Sequence, residues 1–512
     1  MGMVPLRRVF FWIGVAALVV AGGGASAQLV GNPAGPRTGL VYELHLSPPD
    51  AEVLAELNRL GFNVGHVTTE HAEVFATQGE YDYLVANGYR VTVAGRQPDP
   101  PTFARAESRT LGVYHSYAAL TAHLQDYADA YPSITRLVSI GESVQGREIW
   151  ALHISDFPAQ DQEEPEFKYV STMHGDEPVG TEMCLYFIDY LLTNYGSLSR
   201  VTTLVNETSI WIVPLMNPDG LELGTRLNAN GFDLNRSFPE YPEDFSTTMA
   251  DGAPNLAGLE PEVAALMAWS HARRFVLSAN LHTGAVVASY PYDTAPGVPS
   301  GSPALTPDHD LFVALSTTYA SNNPPMYAND TPPFQNGIVN GNDWYIVTGG
   351  MQDWMYRFMG DAEITLELAV PKKPSQGALP TYWNNNRESM LSYLEWVHRG
   401  VRGVVTDADT DEPLNATVRV IGNPQLVFAD PTHGDYYRLL LPGTYSLAIN
   451  AIGYETEIVS NVTVTSGAAT RVDVELTPVV ILPGAGAAAL AVLAAALVLL
   501  GARYAARCSR AA

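Results

Sequence analysis

Cysteine is nearly absent from this 512-residue chain, which contains only Cys184 and Cys508. Cys184 falls within a predicted helix and Cys508 near the C-terminus, so no disulfide within a domain is available. Small secreted domains with little core depend on disulfides, and this chain is not of that class. Its stability must come from an apolar core, to which a bound metal can add.

Positive charge is also scarce, with 28 Lys plus Arg against 54 Asp plus Glu. A nucleic-acid partner requires clustered basic residues that neutralise phosphates, and no such cluster lies outside the termini. We therefore expect no nucleic-acid binding. An acidic surface attracts cationic ligands instead, weakly and in a salt-dependent way.

Long apolar runs are confined to the two ends of the chain. Residues 1–27 combine a basic start, an apolar run and the small-residue sequence "ASA", which is typical of a signal peptide cleaved after Ala27. Residues 478–502 carry no charge, and at 1.5 Å per residue this length crosses a hydrocarbon layer of about 30 Å. The sequence therefore predicts export followed by a single transmembrane helix.

The orientation follows from the basic tail, residues 503–512, which contains three arginines. Under the positive-inside rule this tail stays in the cytoplasm and everything before the span lies outside. An alternative is that "LPGAG" serves as a sorting signal, which would leave a cell-surface or secreted protein.

Three folded regions are predicted between these ends, since 512 residues exceed the size of one domain. Residues 28–110 read strand, helix, strand, strand, helix, strand and end in a Pro-rich linker, which suggests a small α+β ferredoxin-like unit. This unit is either a pro-segment or a passive folding or spacer domain.

Residues 111–400 alternate helical periods with short β-branched runs, which predicts an α/β domain with a mixed twisted sheet flanked by helices. Ligands in such sheets bind at the carboxyl ends of the strands. Residues 401–477 consist of short strands separated by Gly and Pro-Gly turns, which predicts an all-β sandwich.

A candidate metal site lies at two predicted strand ends. His174 and Glu177 follow the strand "FKYVST", and His282 follows the apolar strand in "SANLH". Catalytic zinc takes three protein ligands of this kind and leaves one position open. A His-x-x-Glu pair also occurs by chance, so ordinary polar loop residues remain an alternative at this point.

The wider sequence resembles the zinc metallocarboxypeptidases, across about residues 112–477. The resemblance is carried by motifs in order along the chain, among them "SIGESVQGREIWALHISD", "HGDEPVG", "NPDG", "RLNANGFDLNR", "LHTGAVVASYPYD", "WYIVTGGMQDW" and "EITLEL". It is specific to the regulatory branch, which includes carboxypeptidases E, N, D and M. That branch carries a transthyretin-like sandwich after the catalytic domain, which residues 401–477 match.

The resemblance implies the catalytic residues. His174, Glu177 and His282 match the ligands of one Zn²⁺ ion, and Glu367 in "ITLEL" matches the general base. Arg226 matches the arginine that stabilises the oxyanion.

The resemblance also implies the residues that bind substrate. Asn235 and Arg236 match a clamp for the free C-terminal carboxylate, and Tyr345 matches a mobile tyrosine that closes on the substrate. Arg147 matches a residue further along the cleft. Asp293, supplemented by Gln352, occupies the position at which the basic-preferring branch carries an acidic residue.

We therefore expect a zinc-dependent exopeptidase that removes C-terminal Lys or Arg from peptides or proteins. Two alternatives belong to other classes of function. One is a catalytically inactive surface protein that binds peptides. The other is a zinc amidohydrolase that acts on another amide, such as a cell-wall peptide.

Overall fold

A computed structural model describes residues 41–68, 70–96, 110–240 and 254–479. The predicted signal peptide, nearly all of the predicted membrane span and the basic tail with Cys508 fall outside these residues. Within the described ranges, no helix has the length and apolar character needed to cross a bilayer.

The N-terminal unit has the strand and helix order expected of a ferredoxin-like unit. Its four strands form one antiparallel sheet in the order β2-β3-β1-β4. Asp50 and the Thr77–Glu80 capping box satisfy the free N–H groups that begin its two helices. The elements are β1 (Val41–Leu46), α1 (Ala51–Arg59), β2 (Asn63–Val67), β3 (Ala72–Thr77), α2 (Gln78–Ala86) and β4 (Val91–Arg96).

The middle region is an α/β domain, as predicted. Its elements begin with α3 (Tyr117–Ala130), β5 (Thr135–Glu142), β6 (Glu148–Ile154), β7 (Glu166–Ser171), α4 (Val179–Asn194), α5 (Ser199–Glu207), β8 (Ser209–Val213), α6 (Pro218–Leu223), α7 (Pro261–His271), β9 (Phe275–His282) and β10 (Val286–Tyr290). They continue with α8 (His309–Ser321), α9 (Pro324–Tyr327), β11 (Ile338–Asn340), α10 (Gly341–Trp344), α11 (Met351–Trp354), β12 (Ala362–Leu368) and α12 (Leu379–Leu394). A π-helical turn, Met355–Met359, continues directly from α11.

Eight strands of this domain form one mixed sheet in the order β11-β10-β12-β9-β7-β8-β6-β5. The four central strands, β12, β9, β7 and β8, are parallel to one another. β7, β8 and β9 are buried along their whole length, as expected for strands covered on both faces. Cys184 is buried in α4 with a free thiol, which agrees with its predicted position in a helix.

The C-terminal region is the predicted all-β sandwich. Its strands are β13 (Gly400–Asp407), β14 (Thr417–Val420), β15 (Leu426–Phe428), β16 (Asp435–Arg438), β17 (Gly443–Asn450), β18 (Glu457–Val464), β19 (Ala469–Arg471) and β20 (Val474–Leu476). They form two sheets, one built on β13 and the other in the order β15-β14-β17-β18.

The sandwich packs against the catalytic domain through a buried ion pair. Arg438 donates to both carboxylate oxygens of Asp308 at 2.8 Å, and Tyr356 donates to the same carboxylate. Gln425 donates to the backbone oxygen of Tyr356, in the π-helical turn. The two domains are therefore joined by polar contacts that are removed from water.

Candidate metal centre and active site

Three predicted metal ligands meet at the carboxyl ends of neighbouring parallel strands. His174 follows β7, and His282 is the last residue of β9. Oε2 of Glu177 lies 3.2 Å from Nδ1 of His174 and 3.0 Å from Nδ1 of His282, and the two imidazole nitrogens are 3.0 Å apart. All three side chains are buried.

The chemistry of this trio fits a zinc ion. Tetrahedral Zn²⁺ with bonds of about 2.0–2.1 Å separates its ligand atoms by roughly 3.3 Å, close to the spacing found here. Burial lowers the pKa of His282 to about 4, so its imidazole is neutral and offers a lone pair. Although burial opposes ionisation of Glu177, the adjacent His174 and then His282 hold its pKa well below its ordinary value. The shifts of His282 and Glu177 thus favour the deprotonated forms that bind a metal. Although burial and Arg226 oppose it, the carboxylates of Glu177 and Asp233 raise the pKa of His174.

A second layer of charged groups holds the ligands in place. Oδ1 of Asp233 lies 2.9 Å from Nε2 of His174, which leaves Nδ1 to face the metal position. Arg226 donates to the other oxygen of Asp233 at 2.9 Å and to Oε1 of Glu177 at 3.2 Å. Arg226 therefore lies beside the metal ligands, and its oxyanion role stays a prediction. Sequence reasoning missed Asp233, although it lies within the quoted motif "GFDLNR".

Glu367 lies next to the trio because of strand register. It is the partner of His282 across the parallel β12–β9 pair. The backbone N–H of Ala285 donates to its Oε2 at 3.4 Å. Burial, followed by the negative charge of Glu177, raises the pKa of Glu367 to about 8. A carboxyl with a raised pKa beside metal ligands is suited to proton transfer.

These residues line one cleft of about 490 Å³. Side chains from other parts of the chain also line it, among them Asn235, Arg236, Asp293, Trp344 and Tyr345. The structure thus brings the metal trio, Glu367, Arg226 and most of the predicted substrate-binding residues together.

Asp293 is a buried carboxylate of this cleft. Nε2 of Gln352 donates to its Oδ1 at 2.6 Å, so Gln352 lies behind Asp293 and not on the cleft wall. The backbone of Gly341 approaches so closely that an added Cβ would lie 1.9 Å from Oδ1 of Asp293. Burial, followed by the carboxylate of Asp353, raises the pKa of Asp293 well above its ordinary value.

Arg147 is not brought to the cleft wall. Its guanidinium is partly exposed and pairs with the buried carboxylate of Asp219 and with Gln145. The resemblance placed it further from the reacting bond than the other residues, and its contact with substrate stays a prediction.

One residue of the N-terminal unit also lines the cleft, which sequence reasoning did not foresee. His66, on β2, shares the cavity with the metal trio. His66 precedes His174 by more than one hundred residues, and no local pattern in "FNVGHVTT" points to it.

Comparison with known families agrees with this geometry. Residues 120–389 match the family model described as zinc carboxypeptidase, which is more than half of the chain. Residues 400–477 match the carboxypeptidase regulatory-like domain. The N-terminal unit lies outside both matches.

Curated relatives and a solved structure lead to the same family. The chain is 42% identical to mouse carboxypeptidase M over 67% of this chain and 79% of that protein. It is 40% identical to the human carboxypeptidase N catalytic chain over 70% of this chain and 83% of that protein. It is 41% identical to mouse carboxypeptidase D over 71% of this chain but only 27% of that longer protein.

The fold itself is shared with carboxypeptidase A from Helicoverpa armigera, at a TM-score of 0.51 and 19% identity, over 69% of this chain and 96% of that chain. The family uses zinc, and the His–Glu–His trio supplies a fitting set of ligands. The chain is therefore a metallocarboxypeptidase and belongs to the zinc carboxypeptidase family.

Proposed function

We propose that this carboxypeptidase removes C-terminal Lys or Arg from peptides and proteins. The observation that carries the proposal is the buried carboxylate of Asp293 in the cleft that holds the metal trio and Glu367. A buried carboxylate without a cation is costly, so the cleft favours a substrate that brings a positive charge.

Each polar group of the cleft has a proposed task. A zinc ion held by His174, Glu177 and His282 would act as a Lewis acid and lower the pKa of water to about 7. Glu367 accepts a proton from the attacking water and later donates it to the leaving amine. Arg226 stabilises the negative charge that develops on the carbonyl oxygen of the scissile bond.

Recognition of a free C-terminus rests on Asn235, Arg236 and Tyr345. A guanidinium pairs with a carboxylate through two parallel hydrogen bonds, so Arg236 is suited to bind the terminal carboxylate. Oδ1 of Asn235 accepts the N–H of Met351 at 2.9 Å, which fixes its side chain and leaves its amide N–H₂ for substrate. Tyr345 follows α10 and closes the cleft over the bound peptide.

Export and tethering complete the proposal. The N-terminal signal and the apolar segment at residues 478–502 favour an extracytoplasmic enzyme, held at a membrane or released if the C-terminal segment is processed.

The test compares four peptides that differ only at their C-termini: Arg, Lys, Leu and amidated Arg. Since His66 lines the cleft, rates are measured both on the intact chain and on a chain cleaved between residues 96 and 110. We expect cleavage of the Arg and Lys peptides, slow cleavage of the Leu peptide, no cleavage of the amide and loss of all activity with a chelator. Equal rates on Arg and Leu would refute the basic preference, and cleavage of the amide would refute exopeptidase action.

A further inference from the structure

The β-sandwich contacts the helical segment that supports the loop carrying Asp293. This segment comprises α11 and the π-helical turn, residues 351–359, and the Asp293 loop comprises residues 292–294. We propose that Arg438 and Gln425 of the sandwich are positioning residues for Asp293, so that the sandwich contributes to recognition of basic C-termini. The contribution to recognition rests on the proposed function, whereas the positioning of Asp293 does not.

The backbone of the π-helical turn lies directly against the sandwich. Nε2 of Gln425 donates to the backbone oxygen of Tyr356 at 2.8 Å. The last carbonyl groups of a helical segment lack partners within that segment, so a donor from the sandwich satisfies one of them. Gly360 ends the turn with a φ of +74°, and a Cβ added there would lie 2.5 Å from the backbone oxygen of Leu426, on β15. This approach leaves no room for a side chain between the two backbones.

The side chain of Tyr356 is held by the buried ion pair between the two domains. Its hydroxyl donates to Oδ2 of Asp308 at 2.8 Å, and Nη2 of Arg438 donates to both oxygens of the same carboxylate. Asn423 of the sandwich also donates to Oδ1 of Asp308, at 2.7 Å. Without Arg438 the buried carboxylate would keep only neutral donors, which is costly. The ion pair therefore fixes Asp308 and, through it, Tyr356.

The same turn holds both neighbours of Asp293. The ring of Tyr356 lies 5.7 Å from the ring of Tyr292, the residue before Asp293. Arg357, the next residue of the turn, places its guanidinium 3.7 Å from the centroid of the Tyr292 ring. It also donates to the backbone oxygen of Thr294 at 3.2 Å. Two consecutive residues of the turn thus contact the residues on either side of the specificity carboxylate.

The start of the segment reaches the Asp293 carboxylate itself. Gln352 donates to Oδ1 of Asp293 at 2.6 Å. Residues 351–359 therefore join the sandwich at one end to the Asp293 loop along their whole length. Coupling between distant positions requires such a continuous set of packed contacts. A shift of the last turn would move Arg357 and with it the loop.

A sandwich that only stabilised the enzyme would affect all substrates equally. Loss of folded protein lowers the concentration of active enzyme, so the apparent kcat falls by the same factor for every peptide. Displacement of Asp293 instead raises KM for peptides that end in Arg or Lys and leaves a Leu-ending peptide little changed. The Arg-to-Leu ratio of kcat/KM distinguishes the two roles.

The kinetic test uses variants of the sandwich in the full chain, assayed intact and after cleavage between residues 96 and 110. Gln425→Ala and Arg438→Met should each raise KM for an Arg-ending peptide about 5-fold, with kcat and both constants for a Leu-ending peptide little changed. Arg438→Lys, which keeps the charge, should recover part of this loss. Thermal unfolding identifies a variant that fails to fold, and the remaining one then decides the result.

Tyr436→Phe is the matched control. The hydroxyl of this buried tyrosine donates to the backbone oxygen of Val472 within the sandwich, and its ring belongs to the sandwich core. Its loss should destabilise the sandwich without changing the contacts of residues 351–359, so the Arg-to-Leu ratio should equal that of the wild type. The same ratio in Tyr436→Phe and in the folded Gln425 and Arg438 variants would overturn the contribution to recognition.

Hydrogen exchange separates this inference from the proposed function. The backbone N–H groups of Asp293 and Thr294 donate to the carboxylate of Asp353, so their exchange rates report how firmly the loop is held. Exchange at these two positions in the full chain should be about 5-fold faster in Gln425→Ala than in Tyr436→Phe. If exchange differs in this way but the wild-type enzyme shows no basic preference, the proposed function fails and the positioning role stands. Equal exchange in the two variants overturns the positioning role.

Discussion

The carboxylate of Asp353 accepts the backbone N–H of Asp293 at 2.9 Å. It also accepts the N–H of Thr294 at 3.3 Å, while Arg357, one turn further along, donates to the oxygen of Thr294 and stacks on the ring of Tyr292 at 3.7 Å. The helical segment that begins at Met351 therefore holds the loop carrying Asp293 from both sides. Asp353 does not line the cleft, so under the proposed function it would act on specificity only through Asp293.

Asp353→Asn should weaken recognition of basic termini by moving Asp293. A hydrogen bond to a charged group contributes about 1.5–3 kcal/mol, so we expect KM for an Arg-ending peptide to rise about 10-fold. kcat, and both constants for a Leu-ending peptide, should change little. Steady-state kinetics of this variant and of Asp310→Asn, at an exposed carboxylate, provide the check. Equal losses on the Arg and Leu peptides would assign Asp353 a purely structural role.

Asp293→Asn should remove the charge that selects a basic terminus while keeping the shape of the side chain. Loss of a buried charge partner costs about 2–5 kcal/mol, so kcat/KM for the Arg peptide should fall at least about 30-fold. The terminal Leu side chain carries no positive charge and therefore does not depend on the Asp293 carboxylate. The Leu peptide should be cleaved at a similar or higher rate. The ratio of the two kcat/KM values is the measurement. If the variant keeps the Arg preference, another group of the enzyme recognises the positive charge of the terminal side chain.

Basic preference should weaken as the pH falls. The raised pKa of Asp293 means that its carboxyl becomes neutral at a higher pH than an ordinary aspartate. The pKa of Asp353 is also raised by burial, to about 6. Protonation removes the attraction for Lys and Arg, so the Arg-to-Leu ratio of kcat/KM should decrease as the pH falls through the raised pKa of Asp293. Groups that serve both substrates cancel in this ratio, and a flat profile would contradict the assignment.

Glu367→Gln should abolish turnover without loss of zinc. The amide cannot accept a proton from water, and general-base catalysis contributes about 10²–10⁴-fold. Metal content should stay at the wild-type level, because Glu367 is not one of the three ligands. Glu142→Gln, at an exposed glutamate, is the matched control for rate and metal content. A near-normal rate in Glu367→Gln would mean that another group acts as base.

The candidate metal centre could be predicted from the sequence because its residues follow two recognisable strands. His174, Glu177 and His282 sit where buried β-branched runs end, and parallel strands bring such ends together. The resemblance then supplied Glu367, which the register of β12 against β9 places opposite His282. The fold classes of all three regions were predictable for the same reason, since each follows from local periodicity.

Contacts between distant parts of the chain were not predictable from the sequence. Asp233 and Asp353 support His174 and Asp293 through hydrogen bonds whose partners are 59 and 60 residues away. Val64 and Arg236 are separated by 172 residues. Such pairs depend on how helices, strands and loops pack against one another in the folded protein. Neither sequence periodicity nor a local motif encodes that packing.

The His174–Glu177–His282 trio is expected to hold one catalytic zinc ion. The direct test removes metal from the purified enzyme with a chelator and restores zinc in measured amounts while following hydrolysis of an Arg-ending peptide. We predict that activity is lost with the metal, rises linearly with added zinc and reaches its plateau at about one equivalent per chain. Full activity in protein shown to be free of metal would contradict the account.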